Sequence, residues 1–182
     1  LKQIRDRYES FEKNKIIQIM SQLRHHLINM DEIDKICKQI NEHERFIAYG
    51  SPTLLNLLFD FQVDMKIFDK TVLLSSVNNG KILVPKNNDL IGLFTATGRL
   101  LGCCDAKFQE VVLDTKNTKI LFSKSQINSE YIDFSFSMDT DNDYYEMHYV
   151  FLFLFDLIKT RYYELYIKEW KYDYRKNNDD TK

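Results

Sequence analysis

The chain has 182 residues, of which 44% are hydrophobic and 29% are charged, and its formal net charge is −2. A chain of this length can bury a full hydrophobic core. The small net charge excludes a global electrostatic field that would gather nucleic acid or anionic lipid. Partners must therefore be argued from local features.

Residue usage favours regular structure over loops. Tyr and Phe account for 11 and 13 residues, against five Gly and two Pro. The first residue is Leu1 and no secretory leader is recognisable. We therefore interpret the chain as a fragment or processed product, from which any leader or anchor has been removed, and the sequence indicates no compartment. Its three cysteines imply no disulfide framework.

The N-terminal part has helical spacing. One stripe of apolar residues consists of Ile4, Tyr8, Phe11, Ile16, Met20, Leu23 and Leu27, with Lys and Arg opposite. The pattern restarts at Asn29, a potential helix cap, and continues through Ile33, Ile36, Cys37, Ile40 and Phe46 to Gly50. We predict an antiparallel helical hairpin over residues 1–50.

A cap and first-turn pair, Ser51 and Pro52, predicts a short third helix that reaches about Phe61. Beyond residue 62 apolar residues alternate with polar ones, which indicates a strand from Val63 to Ile67. Residues 71–77 and 81–84 flank an Asn-Asn-Gly turn and predict a hairpin.

Further strands are predicted along the chain. Residues 90–104 fit two short strands around Thr97 and Gly98, which we favour, or a helix with poorly placed glycines. Residues 108–113 and 119–122 surround a second hairpin signal, and residues 132–138 alternate most clearly.

The last 30 residues are apolar and aromatic. Residues 147–158 are apolar on both faces, as in a central strand, and a final strand from Tyr162 to Tyr174 is predicted to follow. A long helix is the alternative, because part of the segment matches helical spacing. Aromatic enrichment favours strands.

Short helices, then hairpins, a long apolar strand and a final strand that carries Trp170 resemble the nuclear-transport-factor-2-like or SnoaL-like cone in element order. The resemblance covers residues 51–175, and residues 2–46 resemble one tetratricopeptide-like unit. It implies an α+β fold with a mainly antiparallel, curved β-sheet, as a cone or half-barrel. We thus predict a helical hairpin over 1–50, a sheet domain over 51–175 and a disordered tail over 176–182.

No motif predicts a metal, a cofactor or a catalytic group. Asp139, Asp141 and Asp143 begin like a calcium loop, but its glycine and final glutamate are missing. Cys103 lacks a nearby histidine in sequence, and His25 and His26 point about 100° apart on a helix. The longest apolar run is about half of what a membrane span needs.

Nucleic-acid binding is also not expected. Basic residues interleave with aromatic ones after residue 160, in a pattern that could stack bases. Glu164, Glu169 and Asp173 cancel that charge.

The aromatic surplus favours a non-catalytic protein interaction or scaffolding module, which binds a protein partner or a second copy. The residues predicted to form this surface are Tyr162, Tyr166, Trp170 and Tyr172. The alternative is a small-molecule-binding or SnoaL-like catalytic pocket in the sheet domain, with His148 and Asp156 among its polar groups. On the first interpretation the protein is not an enzyme.

Overall fold

The structure is a computed structural model that describes residues 29–77, 81–102, 105–137 and 144–168, with only the backbone for 144–147. Five strands form one sheet: β1 (Arg45–Gly50), β2 (Thr71–Ser76), β3 (Asp89–Thr95), β4 (Lys119–Ser123) and β5 (Phe134–Ser137). Their order is β2-β1-β3-β4-β5, and every pair is parallel. The sheet is therefore of the α/β type.

Helices cover both faces of this sheet. The described helices are α1 (Met30–Glu42), α2 (Pro52–Asn56), α3 (Phe59–Ile67), α4 (Arg99–Gly102), α5 (Ala106–Phe108) and α6 (Tyr144–Tyr162). Two of them run on as π-helical turns, α5 through Gln109–Leu113 and α6 through Tyr163–Ile167.

Side chains alternate between two hydrophobic cores along each strand. In β1, Phe46 and Ala48 pack with α1, α2, α3 and α6, whereas Ile47 and Tyr49 pack with α5 and its extension. The three central strands β1, β3 and β4 are almost wholly buried. Strands covered on both faces read as continuous apolar runs, as these do.

Helix α1 is fastened to α6 by polar contacts as well as by its buried stripe. Arg161 donates two hydrogen bonds to the carboxylate of Asp34, at 2.7 and 2.9 Å. These bonds from Arg161 hold the pKa of Asp34 below its ordinary value. The Cys37 thiol contacts the carbonyl of Ile158 at 3.5 Å, and burial raises its pKa to about 12.

The predicted antiparallel, cone-like α+β fold is wrong, because all the described strands are parallel. Residues 45–50 form the strand β1 rather than the end of a helix. The strand predicted from Val63 to Ile67 lies within α3, and residues 81–86 have no regular structure and do not return along β2. The predicted division of the chain at residue 50 stays a prediction, since residues 1–28 lie outside the described part.

The largest error concerns the predicted central strand over 147–158, which is helix α6. Its apolar residues form a buried stripe of Val150, Phe151, Leu154, Phe155 and Ile158, and an exposed one of Tyr149, Leu152 and Phe153. Two apolar stripes on one helix mimic a strand buried on both faces. The helix that was the alternative for this region is present as far as Lys168.

Other expectations were closer. Ser51 caps α2, with its Oγ accepting from the N–H of Leu54 at 3.4 Å. The strands predicted over 71–77, 119–122 and 132–138 contain β2, β4 and β5. Residues 90–104 contain a strand followed by a short helix, whereas residues 108–113 are helical.

Candidate functional site

The carboxyl edge of the sheet has one point where the chain direction switches. After β1 the chain passes to the face that carries α2 and α3, whereas after β3 it passes to the face that carries α4 and α5. The two strands are neighbours, so their exit loops diverge and leave a crevice between them. Open parallel sheets bind ligands at such switch points.

One side of this crevice is the loop after β1. Gly50 is opposite Phe94 in the parallel register, so Ser51 follows at the level of Thr95 on the next strand. Neighbouring strands are about 4.8 Å apart, which places the two exit loops side by side. Ser51 is held by its capping role, and its hydroxyl hydrogen stays available because the cap uses only the oxygen as acceptor.

The other side is the loop after β3, with the sequence Thr95-Ala96-Thr97-Gly98-Arg99. Thr95 is buried, whereas Thr97 and Arg99 are exposed. Gly98 has φ of +75°, and a Cβ there would be 2.7 Å from Cδ1 of Ile127. A side chain at this position would therefore strain the backbone and clash, so glycine sets the path of the loop.

The end of β4 adds a third polar group to this edge. Ser123 is paired in register with Thr95, is buried, and donates a hydrogen bond to the carbonyl of Ser125 at 2.6 Å. Lys124 follows directly and is half-buried. Its position after β4 puts a cation beside the β3 exit loop.

These three loops have one chemical character. Residues 51–53, 96–99 and 124–126 contain hydroxyl groups, an arginine and a lysine, but neither Asp nor Glu. Hydroxyl and backbone N–H donors together with Arg or Lys are what a phosphate group needs, because charge-assisted hydrogen bonds to its oxygens are strong. The crevice is therefore suited to an anion.

Buried charges lie at the other edge of the sheet, where they stabilise the fold. Asp89, 1% exposed, accepts hydrogen bonds from the guanidinium of Arg45 and from the N–H of Lys86. Burial alone would raise the pKa of Asp89, but these donors lower it on balance. Burial lowers the pKa of Lys119, whose ammonium donates to the carbonyls of Thr115 and Asn117.

The aromatic residues predicted to form an interaction surface are at the C-terminal end of α6 and beyond. Tyr162 is buried and donates a hydrogen bond to Oδ1 of Asn41 at 3.0 Å. Tyr166 is half-buried and packs against Tyr162. Trp170 and Tyr172 lie outside the described residues. Whether these residues bind a partner stays a prediction.

The two polar residues of the alternative pocket are both on α6. His148 is half-buried near the start of the helix, and Asp156 is exposed and paired with Lys159 at 2.6 Å. Eight residues of helix separate them by about 12 Å along the axis. Neither comes from the exit loops of β1, β3 or β4.

Other sites weighed from the sequence fall mostly on residues that are not described. These are His25, His26, Cys103, Cys104 and Asp139–Asp143. Within the described ranges, no cluster of three His, Cys, Asp or Glu residues could hold a metal ion. No helix in the same ranges is both long and apolar enough to cross a bilayer.

Sequence reasoning missed Ser51, Thr97, Gly98 and Lys124 as site residues. A signal was present, because two buried apolar runs each end in small or hydroxyl residues, at Gly50-Ser51 and at Thr95-Ala96-Thr97-Gly98. Only a parallel pairing of those runs brings their ends together. The antiparallel interpretation placed them apart.

No family profile and no curated protein sequence matches the chain at a significant level. Solved structures do match. One is a hypothetical protein of Methanococcus jannaschii whose structure infers a molecular function of 3-hexulose-6-phosphate isomerase. It has 14% identity and a TM-score of 0.67, and the match covers 84% of this chain and 89% of that one.

Two other similar structures contain phosphorylated ligands. An E. coli CFT073 protein in complex with arabinose 5-phosphate has 12% identity and a TM-score of 0.68, over 88% of this chain and 92% of that one. The Vibrio vulnificus NanR protein, complexed with ManNAc-6P, has 9% identity and a TM-score of 0.67, over 93% and 67%. At this identity the likeness establishes the fold, which is that of SIS-domain phosphosugar isomerases.

These comparisons overturn three expectations. The resemblance to the nuclear-transport-factor-2-like cone is wrong, since the structural relatives have the parallel SIS-type sheet. The scaffolding function is contradicted, because the relatives are phosphosugar isomerases and sugar-phosphate-binding proteins. The expectation that the protein is not an enzyme is contradicted as well, because several of the similar structures are described as isomerases.

Proposed function

We propose that this domain binds a phosphorylated sugar in the crevice between the β1 and β3 exit loops. The observation that carries the proposal is the switch point itself, where loops rich in hydroxyl groups and free of acidic residues diverge. Support comes from the same fold in proteins solved with arabinose 5-phosphate and ManNAc-6P.

The phosphate group is assigned to the β3 side of the crevice. Thr97 is exposed there and donates its hydroxyl, while Gly98 turns the backbone so that it can approach the ligand closely. Arg99 and Lys124 supply positive charge from the two sides of this loop. Together they balance a dianion without any acidic neighbour in the three loops.

The sugar is assigned to the β1 side. Ser51 faces the crevice from a loop fixed by its cap, and a hydroxyl is a suitable partner for a sugar hydroxyl because each can both donate and accept. A bound sugar phosphate would thus connect two loops from neighbouring strands. Free sugar would lose the charged half of these contacts, and inorganic phosphate would lose the other half.

Isothermal titration calorimetry of the whole chain tests the proposal. The ligands are pentose 5-phosphates, hexose 6-phosphates and an N-acetylhexosamine 6-phosphate, with the matching free sugars and inorganic phosphate as controls. We expect at least one sugar phosphate to bind at least tenfold more tightly than its free sugar and than phosphate. Equal affinity for a sugar phosphate and its free sugar, or no binding of any phosphate ester, would refute it.

The same mixtures decide whether a bound sugar phosphate is also converted. Proton NMR distinguishes an aldose phosphate from its ketose isomer, so time courses with each ligand that binds measure isomerisation directly. A ligand that binds and is interconverted would assign catalysis to the crevice. Binding without conversion would assign recognition of that ligand.

A further inference from the structure

A second feature of the surface is a groove between α3 and α6. Its walls include Leu57, Phe61, Val63, Leu152 and Phe155, and its volume is about 340 Å³. The groove continues onto exposed apolar side chains on both helices. Phe59 and Ile67 of α3 are 60% and 67% exposed, and Val63 between them is 48% exposed.

The groove is acidic as well as apolar. Asp60, Asp64 and Asp156 line it, and the cation among its lining residues is Lys159. The Lys159 ammonium contacts Asp64 at 3.0 Å and Asp156 at 2.6 Å, which leaves the carboxylate of Asp60 free of that cation. An occupant of this groove should therefore be an apolar segment with a positive charge.

The chain contains such a segment in residues 1–28. Its apolar stripe, from Ile4 to Leu27, has helical spacing, with Lys and Arg on the opposite side. Six Lys and Arg residues outnumber three Asp and Glu residues in it. The stripe predicts burial against an apolar surface, and the charge predicts an acidic one.

The point of attachment is compatible with this partner. Residue 28 is joined to Asn29, at the start of α1, and α1 packs on α6 through Asp34 with Arg161 and Cys37 with Ile158. Helix α6 also packs against α3. The segment must therefore cross about two helix spacings, or about 20 Å, whereas 28 helical residues span about 42 Å.

We propose that residues 1–28 bind as an amphipathic helix in the groove between α3 and α6 of the same chain, with Ile4–Leu27 against Val63 and Leu152. This contact would cover the exposed apolar residues of both helices and pair basic side chains with Asp60, Asp64 and Asp156. It lies on one helical face of the domain and does not depend on the sugar-phosphate site.

Hydrogen–deuterium exchange of the whole chain tests this contact. The variant is Val63→Arg, which places a cation and a longer side chain in the groove. Its matched control is Val84→Arg, because Val84 is also exposed but is not a lining residue of the groove. Leu152→Arg, on the opposite wall, is a second variant in case Val63→Arg does not fold. Thermal unfolding verifies folding of each variant.

We expect the backbone amides of residues 1–28 to be protected in the wild type and to exchange at least tenfold faster in Val63→Arg, with no change in Val84→Arg. The protection should not depend on protein concentration while light scattering reports a constant mass. Unprotected amides in the wild type, or equal protection in both variants, would overturn the proposal. So would protection that appears only in a dimer, or a change confined to residues 169–182.

Discussion

Gly50 at the end of β1 lies against Phe94 of β3, and a Cβ added to Gly50 would be 3.0 Å from both Cβ and the carbonyl oxygen of Phe94. The neighbouring strand is therefore close enough to exclude a methyl group at the base of the crevice. This contact sets the separation of the two exit loops, because Ser51 and Thr95 are the next residues on each side.

Gly50→Ala should therefore widen the crevice. We expect it to lower the free energy of unfolding by about 1–3 kcal/mol, since extra volume in a packed region costs that much. Urea denaturation measures the change, and calorimetry should show weaker sugar-phosphate binding. The control is Gly102→Ala, because a Cβ there would meet nothing within 4 Å. Equal stability of the two variants would contradict the role given to Gly50.

Removing the hydroxyl of Thr97 should weaken binding without affecting folding. Thr97 is exposed in the β3 exit loop, so Thr97→Val leaves the core intact. A hydrogen bond to a charged group contributes about 1.5–3 kcal/mol, which corresponds to a loss of tenfold or more in affinity. Calorimetry of Thr97→Val is compared with Thr160→Val, on an exposed turn of α6. The assignment of phosphate to this loop fails if both variants bind equally well.

Charge removal near the same loop should change the salt dependence of binding. Arg99→Ala and Lys124→Ala each remove one cation that faces the proposed phosphate, whereas Lys38→Ala removes an exposed one paired with Glu42 on α1. Salt screens such attractions, so the two loop variants should bind more weakly and respond less to added NaCl. The affinities at low and high NaCl concentration provide the measurement. A loop variant with the slope of Lys38→Ala would argue against charge pairing at that residue.

The buried ion pair of Arg45 and Asp89 should dominate acid stability at the amino edge. Because the pKa of Asp89 is lowered in the folded protein, its contribution is present above its ordinary pKa of about 4 and is lost as the pH falls through the folded value. Asp89→Asn should lower the free energy of unfolding by about 3 kcal/mol at neutral pH, since it leaves the arginine uncompensated. Denaturation curves should show this difference shrinking below about pH 4; a constant difference would contradict the assignment.

Tyr162→Phe tests what the hydroxyl of Tyr162 does. It donates to Asn41 from a buried position, and burial raises its pKa to about 12. Loss of this hydrogen bond should destabilise the fold by about 1 kcal/mol and leave Asn41 with an unpaired oxygen. Tyr163→Phe, on the adjacent and more exposed residue, is the control. Unchanged stability in Tyr162→Phe would show that the bond contributes little.

The sequence by itself determined local features that depend on near neighbours. The helix around Ile33 to Ile40, the cap at Ser51 and the alternating strand around Phe136 follow from spacing and from hydrogen bonds within a few residues. These interactions need no distant part of the chain.

Only the tertiary structure decided which strands pair and in which direction. A buried parallel strand such as β3 and a helix such as α6 both show unbroken apolar runs, because each is covered or exposed by elements far away in sequence. The candidate site depends on the same information. Ser51 and Thr97 are 46 positions apart, and they meet because β1 and β3 leave the sheet side by side toward opposite faces.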